Sequence, residues 1–131
     1  MPIKTIKKTE ARRYSDGHLW LEPEEGFVYV GLTQLALEEL GEINFLELPQ
    51  LGAKAEKEEV LFVLESNKAS GDFVSAVDGI VAEVNAELSD DLSLLNSSPE
   101  TQGWICKLSQ VPEDQLSELM SVSQYEKWLK Q

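Results

Sequence analysis

Most hydrophobic residues of this chain fall into short runs of three to six positions, separated by polar segments that contain Gly or Pro. Runs of aromatic and β-branched residues of that length are typical of strands. The pattern predicts strands at Leu19–Leu21, Phe27–Leu32, Ile43–Leu48, Val60–Leu64, Phe73–Val77, Ile80–Val84 and Gly103–Leu108. Because Val60–Leu64 is continuously apolar, we expect that strand to be buried on both faces. Residues 22–26 are predicted as a turn and residues 50–59 as a loop.

Helical spacing is confined to a few short segments. Thr33 is the predicted N-cap of a short helix that ends at Gly41, since a hydroxyl caps the start of a helix and glycine tolerates the backbone at its end. Residues 89–96 are predicted as a polar loop with one helical turn. Pro112 is expected to open a further helix, and a terminal helix is predicted after Ser123. The apolar positions expected to pack from these segments are Leu92, Leu95, Leu116, Leu119, Met120, Tyr125, Trp128 and Leu129.

Two turns between strands carry further information. Asp78-Gly79 separates two strand-like runs and predicts a tight hairpin, because both residues tolerate positive φ. Glu65-Ser66-Asn67-Lys68-Ala69 follows another strand, and the residues after it are small. This second turn is predicted to present Lys68 at the tip of a rigid hairpin, with Asn67 tolerating a left-handed backbone. A protruding lysine with small neighbours is accessible to a modifying enzyme, although the alternative of an ordinary surface charge stays open.

Charge and composition limit the classes of partner and the compartment that fit this chain. The net charge is -13, and residues 1–13 carry five basic residues against one acid, so that segment is +4 and the rest is -17. Such an acidic body repels nucleic-acid phosphate and favours partners with basic docking surfaces. No apolar stretch approaches the roughly 20 residues of a membrane span. A single cysteine, Cys106, cannot form an internal disulfide, so we expect a cytoplasmic protein. The length of 131 residues fits one domain, residues 1–131.

The remaining candidate residues are few. His18 is the sole histidine, and no partnered nucleophile accompanies it, so a structural or pocket-wall role is favoured. Cys106 lies in an apolar strand and is expected to be a packed, inert thiol. One histidine and one cysteine do not supply a closed zinc shell, so no metal site is predicted.

An ordered set of motifs across residues 13–128 resembles the glycine cleavage H-protein family of lipoyl carriers. Its members are Arg13-Tyr14, His18, Trp20, Gly31–Thr33, Leu40–Ile43, Phe45–Pro49, Glu65–Ala69, Gly79–Asn85, Asn96–Pro99 and Gly103-Trp104. The resemblance implies a mainly β fold, the lipoyl-domain-like barrel-sandwich hybrid of two small sheets with a short internal helix and C-terminal helices. Biotin carriers resemble this architecture but usually have methionine on both sides of the lysine. Lys68 lies between Asn67 and Ala69, which argues against biotin.

The resemblance also implies a function. Lys68 would carry lipoate in amide linkage, with Glu65, Ala69, Asp72 and His18 around the arm. The chain would be a non-catalytic carrier that shuttles the aminomethyl group of glycine from the decarboxylase to the aminomethyltransferase. Dihydrolipoyl dehydrogenase would reoxidise the arm, and a lipoate ligase or lipoyltransferase would attach it. A monomer is expected.

Three positions depart from the family pattern. Leu19 stands where an acidic residue commonly follows the histidine and helps to cradle the loaded arm, Asn67 replaces the usual valine, and Glu100 stands where tyrosine is frequent. Leucine accepts no hydrogen bond, so two alternatives stay open. Beside the glycine cleavage role, the first alternative is an H-protein-like lipoyl carrier that serves lipoyl transfer to other enzymes or another lipoate-dependent redox process. The second is an unmodified acidic interaction module with the same fold.

Overall fold

The strands and helices of the computed structural model, which describes residues 4–131, are short. The strands are β1 (Arg13–Tyr14), β2 (Leu19–Glu24), β3 (Phe27–Leu32), β4 (Ile43–Glu47), β5 (Lys54–Ala55), β6 (Val60–Ser66), β7 (Ser70–Val74), β8 (Gly79–Val84) and β9 (Cys106–Ser109). The helices are α1 (Gln34–Leu40), α2 (Glu87–Asp90), α3 (Ser93–Ser97), α4 (Glu113–Ser117) and α5 (Val122–Leu129). The chain is therefore mainly β, as predicted.

Two antiparallel sheets form the body. One has six strands in the order β1-β2-β3-β9-β8-β5, and the other has three strands in the order β4-β6-β7. Their inner faces enclose the main core, which contains Leu21, Leu32, Phe62, Leu64 and Leu108. The predicted fold class, two small sheets with short helices, is confirmed.

A second core cluster covers the outer side of the larger sheet. It consists of Ile6, Tyr14, Trp20, Tyr29, Trp104 and Tyr125. Ile6 is fully buried, although the pattern around it predicted no element. The rings of Tyr14 and Tyr125 stack at 4.4 Å between centroids, so this cluster attaches α5 to the sheet.

The prediction of a turn over residues 22–26 was wrong in extent. β2 continues to Glu24, and only Glu25 and Gly26 turn the chain. Glu22, within the predicted turn, is 1% exposed, and its Oε1 lies 2.7 Å from Nε of the fully buried Arg12. The partner charge that permits this burial is ten residues away, so the local pattern did not indicate it.

The prediction of a tight hairpin at Asp78-Gly79 was also wrong. β7 belongs to the smaller sheet, whereas β8 pairs with β5 and β9 in the larger one. Gly79 does not have positive φ. Asp78 instead holds a corner between the sheets, because its carboxylate accepts hydrogen bonds from the Lys57 backbone N–H and the Gln115 side chain.

The other differences are smaller. The loop over residues 50–59 contains β5, and Val60 at the start of β6 is 54% exposed rather than buried on both faces. α5 begins before Ser123, because Ser121 and Gln124 form a capping box. Residues 89–96 hold parts of two short helices, in which Leu88 and Leu95 are fully buried. Trp128 and Leu129 remain substantially exposed.

Among residues 4–131, none of the helices combines the length and the apolar composition needed to cross a membrane.

Candidate functional site

The candidate site is the tip of the β6–β7 hairpin. The two strands pair with Val63 opposite Asp72 and Glu65 opposite Ser70. Beyond the last of these pairs, Asn67, Lys68 and Ala69 form the tip. The predicted placement of Lys68 at the end of a strand pair therefore agrees with the structure.

Ser66 holds the tip in one shape. Its hydroxyl oxygen accepts hydrogen bonds from the backbone N–H of Lys68 at 3.2 Å and of Ala69 at 3.1 Å. Its own N–H donates to the Ala69 carbonyl at 2.8 Å. Serine that bonds the backbone two or three residues ahead is a recognised turn-forming pattern. The sequence pattern alone does not indicate this role of Ser66.

Asn67 fastens the tip to the neighbouring segment. Its N–H donates to the Glu42 carbonyl at 3.3 Å, and its side-chain oxygen accepts from the Asn44 amide at 3.0 Å. Asn67 does not have positive φ, so the tip does not use its tolerance of a left-handed backbone. The departure from valine at this position therefore adds a polar link to the residues that begin β4.

Lys68 is exposed, and within residues 4–131 it forms no ion pair. Its aliphatic chain lies beside Gly41, since a Cβ built on that glycine would be 3.5 Å from Lys68 Cε. Gly41 has φ of 80° and ends α1, where its N–H donates to the Leu37 carbonyl. The body of the protein thus supports the lysine stem and leaves the amine available.

A cleft of about 480 Å³ lies along the far end of β7. Its apolar wall includes Tyr14, Phe73, Leu119 and Met120, and its acidic residues are Asp16, Glu58, Asp72 and Glu118. Lys57 is the one basic residue among those that line it. Of the predicted site residues, only Asp72 lies in this cleft. Asp16, Glu58 and Glu118 were missed, because three separate loops bring them together.

The other predicted site residues lie in different places. Glu65 is exposed beside the tip, opposite Ser70 on β7 and Phe45 on β4. Ala69 is exposed within the tip. His18 does not line the cleft, and its Nδ1 lies 2.9 Å from the Tyr125 hydroxyl.

His18 belongs to a hydrogen-bonded chain that ends at α1. The Tyr125 hydroxyl donates to Thr33 Oγ1 at 3.2 Å, and Thr33 Oγ1 accepts from the Ala36 N–H that starts the helix. Burial raises the pKa of Tyr125 above its usual value of 10.0, so the phenol keeps its proton at neutral pH. The predicted capping role of Thr33 is confirmed.

Two of the departures from the family pattern have structural explanations. Leu19 is 2% exposed and packs in the main core, so its side chain does not line the cleft. Glu100 Oε2 accepts from the Gln34 N–H at 2.8 Å, which places a carboxylate at the start of α1. An acid near the start of a helix is stabilising, so Glu100 has a local structural role.

Cys106 is packed, as predicted. It is fully buried in the main core, and burial raises the pKa of its thiol to about 12. The thiolate is therefore scarce at neutral pH, which makes this cysteine unreactive in the folded protein.

The comparisons agree with this geometry. The sequence model of the family described as Glycine cleavage H-protein matches residues 12–131. This chain belongs to the glycine cleavage H-protein family. It is 40% identical over 116 residues to the glycine cleavage system H protein of Listeria innocua, which covers 88% of this chain and 93% of that protein. It is 41% identical over 112 residues to that of Bartonella tribocorum, covering 86% and 92%.

A solved H-protein has the same fold. The crystal structure of a glycine cleavage system H protein from Mycobacterium marinum matches with a TM-score of 0.82 at 27% identity. The match covers 95% of this chain and 100% of that one. The resemblance inferred from the motifs is therefore confirmed at the level of family and fold.

Proposed function

We propose that this H-protein family member is a lipoyl carrier of the glycine cleavage system and that Lys68 is its attachment site. The observation that carries the proposal is an exposed lysine at the tip of a hydrogen-bonded hairpin in a chain of this family. The whole chain acts as one carrier domain. It contributes no catalytic residue of its own, because the chemistry belongs to the attached group and to the partner enzymes.

The residues around the tip fit a lipoyl group. Ala69, Ser70 and Gly71 are small, so an enzyme active site can close over the lysine. A lipoyl-lysine spans about twelve bonds from Cα to the nearer sulfur, which corresponds to roughly 14 Å when extended. Asp72 lies four residues along β7 from Lys68, which corresponds to roughly 13 Å. The cleft is therefore within reach of the arm.

Residues at the tip and in the cleft have different roles towards the attached arm. Ser66 and Asn67 fix the shape of the tip, and Gly41 lies beside the lysine stem. Tyr14, Phe73 and Met120 offer an apolar surface on which a hydrocarbon arm is shielded from water. The carboxylates of Asp16, Asp72 and Glu118 suit a cationic amine. These acids lie in the cleft that Leu19 does not enter.

Lipoate would supply a disulfide that accepts the aminomethyl group of glycine and is reduced in doing so. The partners that follow are glycine decarboxylase and the aminomethyltransferase, with dihydrolipoyl dehydrogenase to restore the disulfide. A lipoate ligase or lipoyltransferase would form the amide at Lys68. We propose that the chain works as a monomer in the cytoplasm.

Reconstitution tests this function directly. Lipoylated protein is incubated with glycine and its pyridoxal-phosphate-dependent decarboxylase, and exchange of labelled bicarbonate into the glycine carboxyl group is measured. Wild-type protein supports exchange and Lys68→Arg does not. Lys54→Arg is the matched control, because Lys54 is exposed on β5 outside both the tip and the cleft and should retain exchange. Exchange with Lys68→Arg equal to that of wild type would refute the assignment.

A second candidate rests on Leu19. If the cleft acids do not replace the carboxylate that the family commonly has there, the chain is a lipoyl carrier for lipoyl transfer or another lipoate-dependent redox process. That candidate predicts lipoylation of Lys68 without glycine exchange. The same reconstitution therefore separates the two candidates.

A further inference from the structure

The outward side of the smaller sheet exposes an apolar surface next to Lys68. Leu46, Leu64 and Phe73 pack against the main core. Side chains alternate between the faces of a strand, so their neighbours point away from the core. We call this side the outer sheet face; its exposed apolar and acidic members are Phe45, Glu47, Val60, Glu65, Asp72 and Val74, and Val63 and Ser70 lie between them.

Strand register confirms that these residues share one side. Phe45 lies opposite Glu65, Glu47 lies opposite Val63, and Val63 lies opposite Asp72. Directly paired residues of neighbouring strands point to the same side of a sheet. Val60 lies opposite Val74, two residues beyond Asp72 on β7, and so extends the same surface.

The hydrophobic content of this face is unusual for the molecule. Within residues 4–131, six large hydrophobic residues are exposed, and three of them lie here: Phe45 at 45%, Val60 at 54% and Val74 at 45%. The other three are Leu51, in a loop, and Trp128 and Leu129, on α5. A concentration of exposed apolar side chains beside a functional residue indicates an interaction surface.

Charge defines what this surface would bind. Glu47, Glu65 and Asp72 are exposed between the apolar residues, and in the described part of the chain none of them forms an ion pair. A surface on which apolar and unneutralised acidic side chains alternate is complementary to a protein that offers lysine or arginine beside apolar pockets. The net charge of -13 would also steer such a partner towards this chain.

The position of this face beside Lys68 indicates which of the proposed partner enzymes it binds. The enzyme that acylates Lys68 must bring its active site onto the bare amine, whereas the others meet the end of an arm roughly 14 Å long. A typical interface covers roughly 800 Å² per partner, a disc about 16 Å in radius. Asp72 is roughly 13 Å and Val74 roughly 20 Å along the strand from Lys68, so a disc of this size with Lys68 near its edge extends over Phe45, Glu47, Glu65 and the Val60–Val74 pair.

We propose that the outer sheet face is the docking surface for the enzyme that acylates Lys68, with Phe45 inserted into an apolar pocket and Glu47 paired with a basic side chain. The proposal rests on the proposed function, because it requires that Lys68 is modified. It adds which surface the modifying enzyme contacts and the chemistry of the surface that this enzyme presents.

The test is lipoylation of the unmodified full chain by a purified lipoate–protein ligase with lipoate and ATP, followed by intact mass. The triple variant Phe45→Thr/Val60→Thr/Val74→Thr removes the apolar surface and keeps β-forming residues. Glu47→Lys reverses one charge, and it serves as the second probe if the triple variant does not fold. The matched controls are Leu51→Thr, which is 69% exposed outside this face, and Glu126→Lys, exposed on α5.

Both face variants should lose at least tenfold in kcat/KM, mainly through KM, and the loss for Glu47→Lys should shrink at high salt. Both controls should stay within twofold of wild type. Reaction of Lys68 with a small amine-acylating ester should be equal in all variants, because exposure of the amine is unchanged. Ligase rates of the face variants equal to wild type would overturn the docking surface while leaving the carrier function intact. Absence of lipoylation in wild-type protein would instead overturn the proposed function and the inference with it.

Discussion

The ion pair between Arg12 and Glu22 is expected to be the most costly single contact to break. Arg12 is fully buried and Glu22 is 1% exposed, and their nearest atoms are 2.7 Å apart. Replacing Arg12 with Met keeps an apolar chain of similar length but leaves the Glu22 carboxylate buried without its partner. Breaking a buried pair on one side costs about 3–5 kcal/mol. For a chain of this length, that corresponds to a fall in Tm of roughly 10–15 °C.

The double variant gives the sharper test. Arg12 Nη2 is buried without a hydrogen-bond partner, so part of the desolvation cost of this pair is not recovered in the native protein. Arg12→Met/Glu22→Met removes both charges and should regain most of the stability lost in Arg12→Met. The control is Lys4→Met, which breaks an exposed pair with Glu24 and should cost about 1 kcal/mol or less. The free energy of unfolding is measured by urea denaturation. A cost for Arg12→Met no larger than for Lys4→Met would refute the reasoning.

Three further predictions concern stability and reactivity. The Lys57 N–H and then the Gln115 amide hold the pKa of Asp78 below its ordinary value of 3.8, so the carboxylate stabilises the fold above about that pH and this contribution is lost as the pH falls further. The difference in unfolding free energy between wild type and Asp78→Asn should therefore shrink between pH 5 and pH 3. A difference that stays constant over this range would contradict the prediction. Gly31→Ala should destabilise by about 1–3 kcal/mol in thermal unfolding, because its Cβ would lie 2.5 Å from Trp20 ring atoms, and an unchanged Tm would contradict that packing. Cys106 should react with a disulfide reagent at pH 8 only after denaturation, and rapid reaction of the native protein would contradict its burial.

Patterns within a few neighbouring residues predicted the features of the fold that depend on neighbouring residues. The start of α1 at Thr33, its end at Gly41 and the hairpin that presents Lys68 each depend on residues within a few positions of one another. The family motifs added the fold class, because they recur in a fixed order along nearly the whole chain. These parts of the structure were predictable from the sequence.

Long-range partners were not predictable in the same way. Glu22 is buried because Arg12 neutralises it, and Asp78 forms a corner rather than a hairpin because β7 and β8 belong to different sheets. The acidic residues of the cleft come from segments that meet only in the folded chain. Glu100 departs from the family pattern, and its carboxylate accepts the first N–H of α1. Each of these contacts depends on residues that a single-sequence pattern does not connect.

The measurement that tests the central claim most directly is the intact mass of the natively produced protein, compared with Lys68→Arg and Lys57→Arg. We predict that wild type and Lys57→Arg each gain the mass of one lipoyl amide, located by peptide mapping at residue 68, and that Lys68→Arg gains none. A lipoyl group retained in Lys68→Arg, or absent from wild-type protein produced with lipoate and an active ligase, would contradict the account.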